Sequence, residues 1–453
     1  MIFRELLSIS FANGVSRFSG LIITPFLMIV MSDENLGLYD TLWVTLLFLE
    51  LLFGLKISDG LFRYASTSSP EKQKIFLSSA LKICTVSVFI LTIVLSFYFL
   101  LFINELWITI FLMFFIVSIR LYLYIIQEYH RAILNLAAYT LIGLMIGFGY
   151  LINVIIQYVI FENLNIQQIF MGVLAVNFVT LTLAFTNIPK NSFVKTNIKD
   201  IKKLMKFGLS LLPSALAWWL MRLSSRWIVF SVLGASAVAF VTKVSYPITL
   251  LGALVNYSNM ALQRKLFKNI ETNTKQSENK QIYEIYRFFI MMSSIFVVLA
   301  CYFIIETYFM EFIDGKKVIA LLGLSTVFMG LASFYGTFYS AKFMILKASV
   351  TSLFAAIICL FLTYFFVVLI GVEGFSYATL VSAILFWIIR AADKKLSIGV
   401  STFFSDVRFF IVIIICFFSI IYLENFLISL FIGFSYALVS HELKNYFLSV
   451  VKN

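Results

Sequence analysis

KASVTSLFAAIICLFLTYFFVVLI, residues 347–370, carries one charge at its first position and none after it. A run of about 20 apolar residues crosses the hydrocarbon core of a bilayer as a helix. The chain repeats such runs on both sides of this one. The expected spans are 8–31, 36–58, 78–103, 107–128, 136–160, 165–186, 205–233, 236–261, 286–306, 317–340, 347–370 and 374–392. Two shorter ones follow at 408–422 and 425–440. Barrel strands would instead need alternating segments of about 10 residues. The expected fold is therefore an all-α polytopic membrane protein, with twelve core transmembrane helices in two six-helix lobes and two extra C-terminal helices. The lobes are expected at 1–190 and 191–395, with the short pair and a cytoplasmic tail at 396–453.

Composition agrees. Of 453 residues 62% are apolar and 12% charged, where a soluble domain carries roughly 25% charge. The net charge of +12 resembles a nucleic-acid signal, but the basic residues sit in loops between spans. Lys72 and Lys74, the run Lys190 to Lys206, and the run Arg264 to Lys280 follow even-numbered spans, whereas loops after odd-numbered spans hold only Lys316 and Lys317. Basic loops stay cytoplasmic, so both termini are expected inside, in a bacterial inner membrane. The first apolar run has no small-residue cleavage site and reads as the targeting signal itself.

Enzyme chemistry finds little support. His130 and His441 are isolated, and Cys84, Cys301, Cys359 and Cys416 lie far apart in apolar segments without metal spacing. Outer connections such as Ser32–Asn35 and Gly234–Ala235 are short. A membrane polymerase or ligase would present its acids and sugar-binding groups on larger outer loops. No cofactor or metal is expected.

Loop lengths recur. Long basic loops follow the second span (57–77) and the eighth (262–285), and a third, 187–204, joins the halves. Two halves of like orientation imply parallel repeats, an arrangement carriers use to place a site at mid-depth.

Charges inside spans are costly and mark candidate sites. Arg17, Arg120, Arg222, Arg226 and Lys243 are the basic ones away from the span ends. Asn13, Arg17, Gly20 and Thr24 share one face of the first span; Ser210, Ser214, Trp218, Arg222 and Ser225 share one face of the seventh. Those spans hold equivalent places in the two halves, so their arginines are expected to face a common cavity. Arginine stays charged and grips phosphate with a bidentate fork, which suits a pyrophosphate and its sugar rather than a cationic drug. Glu50, on a stripe with Asp40, Trp43, Leu47 and Gly54, reads either as an H+ or Na+ coupling site or as a partner for Arg17. Pro25, Pro213 and Pro247 lie within spans and mark candidate hinges.

Thr24-Pro25-Phe26, Leu36-Gly37-Leu38-Tyr39, Ile57-Ser58-Asp59-Gly60-Leu61-Phe62-Arg63-Tyr64 and Phe207-Gly208-Leu209-Ser210-Leu211-Leu212-Pro213-Ser214 together resemble the polysaccharide flippase branch of the multidrug/oligosaccharidyl-lipid/polysaccharide exporter superfamily. Two positions depart from its pattern. Ser225-Arg226 stands where the family often has an Asp–Arg pair, and Ala239-Phe240 where it has a glycine–aromatic pair. The resemblance implies a flippase that moves undecaprenyl-diphosphate-linked oligosaccharide to the outer leaflet for O-antigen, capsule or exopolysaccharide synthesis. Its partners would be that substrate, membrane lipid and polysaccharide polymerase machinery. A lipid II flippase and a cation-coupled small-molecule exporter are the alternatives.

Overall fold

The computed structural model describes residues 22–101, 107–161, 164–188, 194–271, 276–308, 315–342 and 344–393, with 411, 414 and 415. Asn13 and Arg17 lie outside these residues. So do the two C-terminal spans, apart from the three helical positions just given. No strand occurs among the described residues.

Residues 22–30 are helical. They are followed by α1 (Asp33–Gly54), α2 (Ile57–Ala65), α3 (Pro70–Leu101), α4 (Trp107–Ala132), α5 (Leu136–Phe161) and α6 (Ile166–Thr186). Then come α7 (Ile198–Leu223), α8 (Ser225–Leu233), α9 (Ala235–Glu271), α10 (Gln276–Tyr308), α11 (Gly315–Ala341), α12 (Ile345–Ile370) and α13 (Gly374–Ala391). Among the described residues, ten helical segments are long and apolar enough to cross a membrane. The last of them, Leu346–Ala391, folds back at the 3-10 turn Gly371–Glu373. Gly371 takes φ +75° there, and Gly374 lets the chain lie against the Phe366 carbonyl. A Cβ at either position would oppose the turn.

The chain forms two compact units, Met1–Leu216 and Ala217–Asn453. The seam lies within α7, beyond the 187–204 connection where the sequence suggests a boundary. The first half of α7 packs on α2 through two glycines. A Cβ at Gly208 would fall 2.4 Å from the Leu55 carbonyl oxygen, and one at Gly60 would meet Leu204.

In the first unit α4 is central and packs against α1, α2, α3, α5 and α6. In the second, α11 packs against α9, α10 and α13, and 83% of its span is buried, against 28% for Leu346–Ala391. Leu346, Val350, Phe354, Ile357 and Phe361 of α12 are all exposed. Their i, i+4, i+3 rhythm is one exposed apolar helix face, of the kind a bilayer covers. Lipid tails are as apolar as leucine, so packing and hydrogen bonds rather than the hydrophobic effect hold such helices together.

Two expected spans are broken. Residues 36–58 divide at Leu55 and Lys56, both in the left-handed region at φ +48° and +56°, a conformation costing about 1–2 kcal/mol per non-glycine residue. The expected loop 57–77 therefore holds α2 and the start of α3. Ile57, Leu61 and Ala65 bury one face of α2, behind a polar sequence that reads as a turn. Residues 205–233 divide at Ser224, whose hydroxyl donates to the Leu220 carbonyl. Hydroxyls that bond back to i−4 carbonyls bend helices.

Candidate functional site

Tyr39, Trp43 and Glu50 lie one or two turns apart on α1, and Arg120 and Tyr124 one turn apart on α4. Packing of α1 on α4 brings them together. Arg120 Nε lies 2.7 Å from Glu50 Oε1. Its Nη2 donates to Tyr124 Oη at 2.8 Å, and the Tyr124 hydroxyl donates to Glu50 Oε2 at 3.2 Å. The guanidinium sits 5.6 Å from the Trp43 ring centre and 5.7 Å from that of Tyr124. Side-chain exposure is 12% for Arg120 and 6% for Glu50. Arg120 Nη1 is buried without a hydrogen-bond partner among the described residues. The arginine is thus held through one edge and keeps a donor unspent.

Aromatic rings wall the pair. Trp43 stacks on Tyr39 at 6.0 Å and meets Tyr150 edge-on at 6.0 Å. The Tyr150 hydroxyl accepts from Asn177 Nδ2 at 2.7 Å. A polar seam joins α5 to α6 nearby: Asn153 donates to the Ile169 carbonyl at 3.3 Å, and Gln157 to the Gln168 carbonyl at 3.0 Å. A cavity of about 230 Å³ reaches Glu50 and Tyr124 from the α1–α2 break, with Lys56, Ser58, Cys84 and Ser87 in its walls.

Glu50 therefore has Arg120 as a partner. The alternative partner Arg17 lies outside the described residues, and with it the expected juxtaposition of Arg17 and Arg222.

In the second unit Arg222 is exposed. Its guanidinium lies 5.6 Å from the Trp218 ring centre, and a Cβ at Gly252 would come within 3.5 Å of its Nη2. Arg226 is buried and donates through Nη1 to the Arg222 carbonyl at 2.9 Å. Lys243, Pro213 and Pro247 are half-buried; both prolines lie inside helices, α7 and α9. Pro25 is half-buried in the helical stretch 22–30.

The sequence gives no hint of how Arg390 is bonded. It is 2% exposed. Nη1 donates to the Ala332 carbonyl at 2.8 Å, Nη2 to Ser352 Oγ at 2.9 Å and to the Ala348 carbonyl at 3.2 Å, and Nε to Thr351 Oγ1 at 3.3 Å. The guanidinium lies 4.2 Å from the Phe386 ring centre. A Cβ at Gly336 would come within 2.6 Å of Nη1, so this glycine makes the room. Tyr339 donates to Asp393 at 2.8 Å and Lys347 pairs with the same carboxylate at 2.5 Å. Together these contacts tie the ends of α11, α12 and α13. In the sequence Arg390 stands near the end of the apolar run 374–392.

No cluster of His, Cys, Asp and Glu among the described residues could hold a metal. Cys84 and Cys359 are buried free thiols.

No family model and no curated protein matches this chain. Solved structures do. The lipid II flippase MurJ in an inward closed conformation aligns with TM-score 0.68 at 16% identity, over 98% of this chain and 99% of that one. A multidrug/oligosaccharidyl-lipid/polysaccharide superfamily transporter from Pyrococcus furiosus aligns at 0.57 and 13%, over 86% and 94%. An outward-facing multidrug resistance transporter of the same superfamily aligns at 0.55 and 14%, over 86% and 94%. At such identities the likeness is one of fold: the chain is a multi-pass membrane protein with the fold of the multidrug/oligosaccharidyl-lipid/polysaccharide transporter superfamily.

Proposed function

We propose that this chain is a flippase. Its substrate is undecaprenyl-diphosphate-linked oligosaccharide, carried from the cytoplasmic to the outer leaflet of a bacterial inner membrane by alternating access, for O-antigen, capsule or exopolysaccharide assembly. One observation carries the reading. Each unit places arginine beside tryptophan within apolar helices: Arg120 with Trp43 and Tyr124 in the first, Arg222 with Trp218 in the second. Cations offset the desolvation of phosphate, and aromatic faces suit sugar rings.

In this reading Arg17, Arg222 and Arg226, with Asn13 and Lys243, bind the diphosphate and its first sugar. Arg120 joins them when Glu50 releases it, and protonation of Glu50 is the coupling step. Pro25, Pro213 and Pro247 are hinges. Both termini are cytoplasmic, polymerase machinery receives the product, and the chain itself catalyses no covalent step. An inside-negative potential aids outward movement of an anionic headgroup by about 2.3 kcal/mol per charge per 100 mV.

A second reading, lipid II as substrate, is favoured by one observation. The MurJ match runs over nearly the whole of both chains, whereas the other two cover 86% of this one. The test is translocation in vesicles holding only this chain. Appearance of undecaprenyl-diphosphate oligosaccharide on the far leaflet, with lipid II left in place, supports the first reading. The opposite preference supports the second, and movement of neither removes both.

A further inference from the structure

The first turns of α7 break a local rule. Lys199, Lys202, Lys203 and Lys206 crowd the start of this helix, and Asp200 is the sole acid in its first turn. The positive end of the helix dipole disfavours cations, and rules broken without a local gain mark functional positions. Asn197 caps the helix, its side chain accepting from Lys199 N at 3.0 Å. Just upstream, Val194 N donates to Ser78 Oγ of α3 at 3.1 Å, so the lysines stand on an anchored frame.

At 100° per residue the four lysines fall within an arc of about 100°. Leu204 and Gly208 lie on the opposite side, Leu204 fully buried and Gly208 against the Leu55 carbonyl. One face is docked and the other carries four exposed lysines, none of them paired with an acid among the described residues. A loop that only set topology would have no need of one face. Depth points the same way. α7 has 26 residues, about 39 Å at a 1.5 Å rise, against a core of about 30 Å. Its polar excess lies at the lysine end, which puts the lysines in the headgroup layer.

We propose that this lysine face of α7 binds the anionic phospholipid headgroups of the leaflet beside it. Lysine near an anionic membrane surface gains a factor of roughly five in binding per residue. Charge complementarity and depth select lipid over a soluble acidic protein.

The test uses the full chain purified in detergent, its thermal unfolding followed as phosphatidylglycerol, phosphatidylcholine or inorganic phosphate is added. Phosphatidylglycerol is expected to raise the unfolding temperature, and the other two to leave it unchanged. Combining Lys199→Gln, Lys202→Gln, Lys203→Gln and Lys206→Gln is expected to shift the phosphatidylglycerol midpoint at least about ten-fold upward. Lys72→Gln with Lys74→Gln is expected to leave it in place. A wild-type midpoint in the four-site variant overturns the proposal. So does an equal shift in the control variant, or an equal response to inorganic phosphate. If the four-site variant does not fold, salt decides on the wild type: the response must fade as salt rises, and a salt-insensitive response overturns the proposal.

Discussion

Arg120 in the first unit and Arg390 in the second are bonded in opposite ways. Arg390 spends all three of its nitrogens on carbonyls and hydroxyls of α11 and α12. Arg120 meets one carboxylate and one phenol, keeps Nη1 unspent, and its partners Glu50 and Tyr124 border a cavity. Burial of a cation therefore does not by itself mark a site. A saturated guanidinium ties helices together, while an unsaturated one beside open space is available for chemistry.

Mutations can break this contrast. Glu50→Ala strands a buried cation and is expected to destabilise the first unit by about 3–5 kcal/mol, read as a fall in unfolding temperature in detergent. Glu50→Gln, which keeps the shape, is expected to lose less. Arg390→Ala removes four hydrogen bonds from a charged donor; it also relieves the desolvation of a buried cation, which offsets most of their gain, and the net loss is expected to be about 1.5–3 kcal/mol. The protein that still folds should keep wild-type flux. Gly336→Ala pushes a Cβ against Arg390 Nη1 and is expected to cost about 1 kcal/mol, at the low end for overpacking, because an arginine tip can slide. Arg222→Ala, at an exposed position, is expected to leave the unfolding temperature unchanged and to abolish transport.

The span pattern was largely legible in the sequence because a bilayer imposes it. The run read as 347–370 is helical over Ile345–Ile370, and that read as 374–392 over Gly374–Ala391. What sequence missed was tertiary in origin. Leu55 and Lys56 carry no turn signature, yet both are left-handed, held where Gly208 packs against the Leu55 carbonyl. Glu50 and Arg120 were each visible as charges at depth. Their pairing joins helices 70 positions apart in the chain, and no local pattern encodes it. The bonding of Arg390 is equally hidden, because its room comes from Gly336 on another helix.

The most direct test compares outward flux of lipid-linked oligosaccharide per folded molecule in vesicles. The variants are Arg120→Ala, Arg222→Ala and Arg390→Ala, beside the wild type. Arg120→Ala and Arg222→Ala are expected to lose flux and Arg390→Ala to retain it. Wild-type flux in Arg120→Ala and Arg222→Ala, or loss confined to Arg390→Ala, would contradict that expectation.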